Sequence, residues 1–198
     1  MIKIVDKDNY IAANGFILST GLILTSTHLF SNKDKIEDFK KFYYYDPKSQ
    51  YYSKCYLDEG GVFCANSELG LVAISVKDKN ENKTPLPEEL YYHFTASEIT
   101  DKGVHIRAMK KMSKFSKSRP FEITDISDSK FTIKADVDTT SAGSIVLDEE
   151  GNLLGFVTKP GGGSTTCVTM EAFLKWMAEN VDSIAPHAIS MALPESKK

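Results

Sequence analysis

Gly15-Phe16-Ile17-Leu18-Ser19-Thr20-Gly21-Leu22-Ile23-Leu24-Thr25-Ser26-Thr27-His28-Leu29-Phe30 decides the fold. Two short apolar runs, rich in β-branched and aromatic residues, flank a glycine able to take the backbone of a tight turn. That is a β-hairpin, and the small hydroxyl residues after it deliver a histidine at a strand end. The same punctuation extends outward. Tyr10-Ile11-Ala12-Ala13, Gly61-Val62-Phe63-Cys64 and Leu71-Val72-Ala73-Ile74-Ser75-Val76 are brief apolar runs bounded by Gly, Ser, Asn or Asp. Strands of this length imply an all-β unit.

Lys77 to Glu89 turns hydrophilic and carries Pro85 and Pro87, which a sheet interior does not accept. Beyond it strands are again expected at Val104–Ala108, Phe121–Thr124, Lys130–Lys134, Ser144–Leu147 and Leu153–Val157. Asp148-Glu149-Glu150-Gly151-Asn152 joins the last two as a hairpin. Only Met170, Phe173, Leu174, Met177 and Val181 repeat with a helical period. The expected layout is strands, a linker, strands and one terminal helix. The tail ending Pro194-Glu195-Ser196-Lys197-Lys198 has little apolar content and is expected to be mobile.

A second informative stretch is Ala142-Gly143-Ser144-Ile145-Val146-Leu147, followed by the acidic-Gly turn and Leu153-Leu154-Gly155-Phe156-Val157. Together the two stretches resemble trypsin/chymotrypsin-like serine peptidases. The histidine hairpin is similar to their Thr-Ala-Ala-His segment. The second stretch resembles the Ser-Gly-Ser-Pro or Ser-Gly-Gly-Pro segment of the glutamyl-endopeptidase and HtrA-like branches. The resemblance implies two six-stranded antiparallel barrels, at 1–78 and 96–169, joined by a linker at 79–95. A helix at 170–181, on the outside, and a tail at 182–198 complete it.

It also implies roles. His28 would be the general base, and position 142 the nucleophile, which here is alanine and has no oxygen. A competing register makes Ser141 the nucleophile, but it puts Ala142 where the family has glycine. A serine replaced to trap an inactive enzyme and a natural pseudo-peptidase acting as a peptide- or protein-binding module both remain open. Glu68, opening Glu68-Leu69-Gly70-Leu71-Val72-Ala73-Ile74, matches the family's Asp-Leu-Ala-Leu-Leu and would orient His28. Asp58 or Glu59 are the alternatives. The oxyanion would be received by the N–H groups of Thr140 and Ala142. Asp136 stands where trypsin-like enzymes carry the acid that attracts Arg or Lys, although a loop-solvating charge reads equally well there. Thr158 and Lys159 stand on the strand that pairs with substrate. Ser141 occupies the position of the aspartate that pairs with a newly cut N-terminus, so activation by such a cut is not expected.

With 198 residues and 41% hydrophobic content, the chain can bury a full core. A net charge of −3 from well-mixed acids and bases gives no reason to expect a nucleic-acid partner. Charges break up Met1-Ile2-Lys3-Ile4-Val5-Asp6-Lys7-Asp8, and no run approaches a membrane span, so an intracellular, cytoplasmic protein is expected. Cys55, Cys64 and Cys167 are odd in number and lack the Cys-x-x-Cys spacing of a zinc site. His93, His105 and His187 sit apart without metal-ligand partners, so no metal or other cofactor is expected. Lys110 to Arg119 reads as a basic loop. The expected partners are a protein or peptide substrate and, for an effector domain of a larger protein, regulatory domains or a partner protein.

Overall fold

A computed structural model describes residues 2–5, 11–19, 22–30, 41–45, 52–77, 99, 105–107, 109–111, 114–115 and 120–180. The expected linker at 79–95 and tail at 182–198 lie outside these residues, as does the turn at Gly21.

The first lobe contains β1 (Ile2–Val5), β2 (Ile11–Ser19), β3 (Leu22–Ser26), a 3₁₀ turn (Thr27–Phe30), β4 (Lys41–Tyr45), β5 (Tyr52–Asn66) and β6 (Leu71–Lys77). The strands run β1-β2-β3-β6-β5-β4, and antiparallel pairing of β1 with β4 closes them into a barrel. Closure leaves no unpaired sheet edge. Ile11–Ala13 and Gly15–Leu18 belong to one strand, β2, while Tyr10 lies outside the described residues. β5 is longer than the run at Gly61–Cys64, because it carries its pairing with β6 across Asp58-Glu59-Gly60-Gly61 through a shift of register.

The second lobe contains β7 (His105–Arg107), β10 (Ile123–Ile126), β11 (Lys130–Ile133), β12 (Ile145–Leu147), β13 (Leu153–Lys159) and β14 (Thr165–Thr169). They form a six-stranded antiparallel sheet in the order β10-β11-β14-β13-β12-β7. The basic stretch read as a loop contains a separate pair, β8 (Met109–Lys111) with β9 (Lys114–Phe115). The β12–β13 hairpin turns where the sequence places it. Gly151 takes φ 91°, and the Asp148 carboxylate accepts both the backbone N–H and the side-chain amide of Asn152 at 2.7 Å.

Thr169 caps α1 (Met170–Glu179), its hydroxyl accepting the Ala172 N–H at 3.1 Å. The helix ends short of Val181 because Asn180 takes its last carbonyls. Its N–H donates to Met177, and its side-chain amide to Trp176.

One core serves both lobes. Phe16, Leu24, Leu69, Leu71 and Ala73 of the first pack with Ile145, Leu147, Leu153, Phe156 and Val168 of the second, and with Phe173, Trp176 and Met177 of α1. Phe16, Phe156, Phe173 and Trp176 meet edge to face in a row, with centroid separations of 5.5, 5.1 and 6.4 Å. The apolar face of α1 therefore enters the shared core instead of merely covering the outside. Strand alternation divides β6 accordingly. Leu71 and Ala73 join this core, while Val72 and Ile74 are buried on the opposite face. A second cluster, built on Phe131, Ile133, Val146, Leu154, Val157 and Cys167, fills the second lobe.

Candidate active site

The segment carrying His28 is fixed to the second lobe through a neighbour. Ser26 is fully buried at the end of β3. Its hydroxyl donates to the Thr158 carbonyl at 2.7 Å and accepts the backbone N–H of His28 at 3.1 Å. The Thr27 N–H donates to the Gly70 carbonyl at 2.9 Å, joining the same segment to the start of β6. These bonds fix the backbone on which the exposed His28 side chain is carried.

The segment carrying Ala142 is fixed from the first lobe. Thr139–Ser141 form a 3₁₀ turn against β2, and Ala142 follows at 1% exposure. Asn14 donates its backbone N–H to the Ala142 carbonyl at 2.8 Å and its side-chain amide to the Thr140 carbonyl at 2.6 Å. Its own carbonyl accepts the Thr25 hydroxyl at 2.7 Å.

Gly143 is the residue that must be glycine. Its φ is 79°, and a Cβ there would stand 1.9 Å from the Asn14 carbonyl oxygen. Ala142, with φ −52°, has an ordinary conformation. The first register expects its glycine at 143. The alternative, with Ser141 as nucleophile, needs its glycine where Ala142 stands.

The two segments meet on β13. Thr158 receives Ser26, and the adjacent Val157 receives the Gly143 N–H and donates to the Ser144 carbonyl, each at 2.8 Å. A short path of backbone and hydrogen bonds thus links His28 to Ala142 across the junction.

The remaining expected residues are placed less uniformly. Glu68 lies exposed in the turn between β5 and β6, a turn closed by the Asn66 side chain accepting the Leu69 N–H at 2.9 Å. Among the described residues no hydrogen bond joins its carboxylate to His28. The side chains of Asp58 and Glu59 lie outside the description. Asp136 is exposed in the segment after β11. Thr158 is buried in β13, while Lys159, the last residue of that strand, is exposed. β13 is interior to its sheet, but its pairing with β12 covers only Leu153 to Phe156, so among the described strands none pairs with 158–159 on that side. The amides of Thr140 and Ala142 are both engaged. The first donates to the Asp138 carboxylate at 2.8 Å and the second to the Thr139 carbonyl at 3.2 Å.

Sequence pattern alone does not mark Asn14 or Ser26 as part of the site. A polar residue between Ala13 and Gly15, in an otherwise apolar run, is the only signal that could have marked Asn14. Among the described residues, no group of three or more His, Cys, Asp or Glu could hold a metal ion, and no helix is long and apolar enough to cross a membrane.

No family model and no curated protein matches the chain. Solved structures do. A serine-to-alanine mutant of Rv3671c from M. tuberculosis, in its inactive form, aligns with TM-score 0.57 and 18% identity over 90% of this chain and 84% of that one. The active form of the Rv3671c protease aligns with TM-score 0.58 and 17% identity over 96% and 80%. A mutant of human heparin binding protein (CAP37) aligns with TM-score 0.62 and 10% identity over 91% of each chain. The chain has the trypsin/chymotrypsin-like two-barrel fold.

Proposed function

We propose that this chain is the scaffold of a serine endopeptidase, in which position 142 is the place of the nucleophile. With serine there, the hydroxyl would lose its proton to His28 as its oxygen attacks the substrate carbonyl. His28 would pass that proton to the leaving amine as the C–N bond breaks, and water would then release the acyl group by the same route. Glu68, or a neighbouring acid, would orient the imidazole. Asp136, Thr158 and Lys159 would contact the substrate.

The observation that carries this reading is the steric requirement at Gly143. The chain is forced into a glycine-only conformation immediately after position 142, at a junction where the His28 segment is tied to the same strand.

The second reading is a peptide- or protein-binding module. Ala142 favours it, since a methyl group cannot attack a carbonyl.

Ala142→Ser tests the choice, using a serine-directed fluorophosphonate with and without His28→Ala. Labelling of residue 142 that disappears with His28 supports the endopeptidase. A folded Ala142→Ser protein that neither labels nor cleaves a denatured substrate overturns it in favour of the module.

A further inference from the structure

From Lys102 to Phe121 the chain carries seven bases and no acid. The other 17 of its 24 bases are set against all 27 acids, so a chain of net charge −3 concentrates positive charge in one stretch of its sequence. Part of that stretch forms β8 and β9, which pair with each other as a two-stranded sheet separate from those of both lobes. In their register Lys111 stands opposite Lys114, and Met109 opposite Phe115. Like charges directly opposite destabilise a strand pair, and a hairpin of two strands is marginal on its own. Among the described strands none takes up the outer edge of β8 or of β9.

Topology sets this pair beside the candidate site. Only Ala108 separates β8 from Arg107, the last residue of β7, and Arg107 is registered with Ile145, the first residue of β12. Ile145 follows Ala142 by three residues. The chain therefore leaves the six-stranded sheet for the basic pair at the end that carries position 142.

These features fit one kind of occupant. An extended acidic segment of another protein can offset the opposed lysines and also add backbone hydrogen bonds along an open edge. A second copy of the basic pair is repelled by the same lysines. Nucleic acid would gain from the charges alone, having no strand to add. It would also run past three-residue strands, about 10 Å long, onto a chain whose other charges are mostly acidic.

We propose that the β8–β9 pair is a docking site for a short, extended, acidic segment of a partner protein, which joins one of its edges as a further strand beside position 142. The site does not depend on the endopeptidase reading.

Fluorescence anisotropy with a fluorescein-labelled peptide of alternating Glu and Val tests it on the chain as it stands. The peptide should bind. Lys110→Gln, Lys111→Gln and Lys114→Gln combined should weaken binding about tenfold, the loss expected for three exposed charge pairs. Lys130→Gln, Lys134→Gln and Lys175→Gln combined should leave it unchanged, and an equal loss from both triple variants would overturn the site in favour of net charge alone. The same peptide N-methylated throughout keeps its charges but has no backbone donors, and should bind about tenfold more weakly. Equal affinity for the two peptides overturns the added strand. Absence of peptide binding overturns the proposal, and so does tighter binding of a single-stranded oligothymidylate of equal charge. A dimer of the free chain that the first triple variant dissociates, seen by sedimentation, would assign the edge to a second copy instead. If that variant does not fold, the comparison of the two peptides still decides.

Discussion

The Ser26 hydroxyl donates to the Thr158 carbonyl at 2.7 Å across the lobe junction while accepting the His28 N–H. One buried side chain therefore sets both the lobe contact and the backbone beneath the histidine. Ser26→Ala leaves a buried carbonyl and an amide without this partner, at a cost of about 1–3 kcal/mol. Urea unfolding should show that loss. In Ala142→Ser protein, labelling should slow more than the lost stability accounts for. A variant as stable as its parent would remove Ser26 from this role.

Gly143 and Gly151 share a positive φ but not their surroundings. Nothing lies within 4 Å of a Cβ built on Gly151, whereas one on Gly143 meets the Asn14 carbonyl oxygen. Gly151→Ala should cost only the backbone penalty, about 1–2 kcal/mol. Gly143→Ala adds the clash and should cost more than about 4 kcal/mol, in the range reserved for severe core damage. Equal losses in chemical denaturation would contradict the close approach.

The Ser144 hydroxyl is fully buried and among the described residues has no hydrogen-bond partner, although its backbone N–H and carbonyl are both paired. An unsatisfied buried group costs about 1–3 kcal/mol, so Ser144→Ala should stabilise the protein by about 1 kcal/mol. The urea midpoint should rise with an unchanged slope. A lower midpoint would mean that the hydroxyl is satisfied in solution.

Burial pushes the Cys167 thiol well above its ordinary value of 9.0, and the half-buried Cys64 is raised for the same reason. In the folded state Cys167 keeps its proton, while in the unfolded chain it loses it near the ordinary value. Its contribution to stability is thus complete below about pH 9 and falls by about 1.4 kcal/mol per pH unit above it. Cys167→Ala should flatten the alkaline decline seen in unfolding measurements between pH 8 and 10.5. Iodoacetamide should spare Cys167 until the protein unfolds. Rapid alkylation of the native protein would contradict both expectations.

The hairpin leading to His28 was legible because two apolar runs and their glycine are adjacent in sequence. β12, β13 and the start of α1 were legible for the same reason. β1 was not, since Lys3 breaks up its pattern in so short a strand, and β4 and the first half of β5 mix tyrosines with lysines. Asp58-Glu59-Gly60-Gly61 has turn composition, yet β5 passes through it because pairing with β6 resumes beyond the register shift. At the site, the glycine at 143 is visible in the sequence, but the close approach of the Asn14 carbonyl that requires it is not. The bonds that Asn14 donates to Thr140 and Ala142 could not be foreseen, because both end on backbone carbonyls, which every residue type carries, more than 120 residues along the chain. Glu68 shows the converse limit. A motif match expects it to open a strand, whereas it lies in the turn before β6, and the direction of an exposed carboxylate is not encoded by spacing.

The row Phe16, Phe156, Phe173, Trp176 draws its members from a strand of each lobe and from the terminal helix. Dividing the gene at the polar middle would therefore not give two modules. Each product would expose one side of a greasy seam whose other side had been left on its sibling.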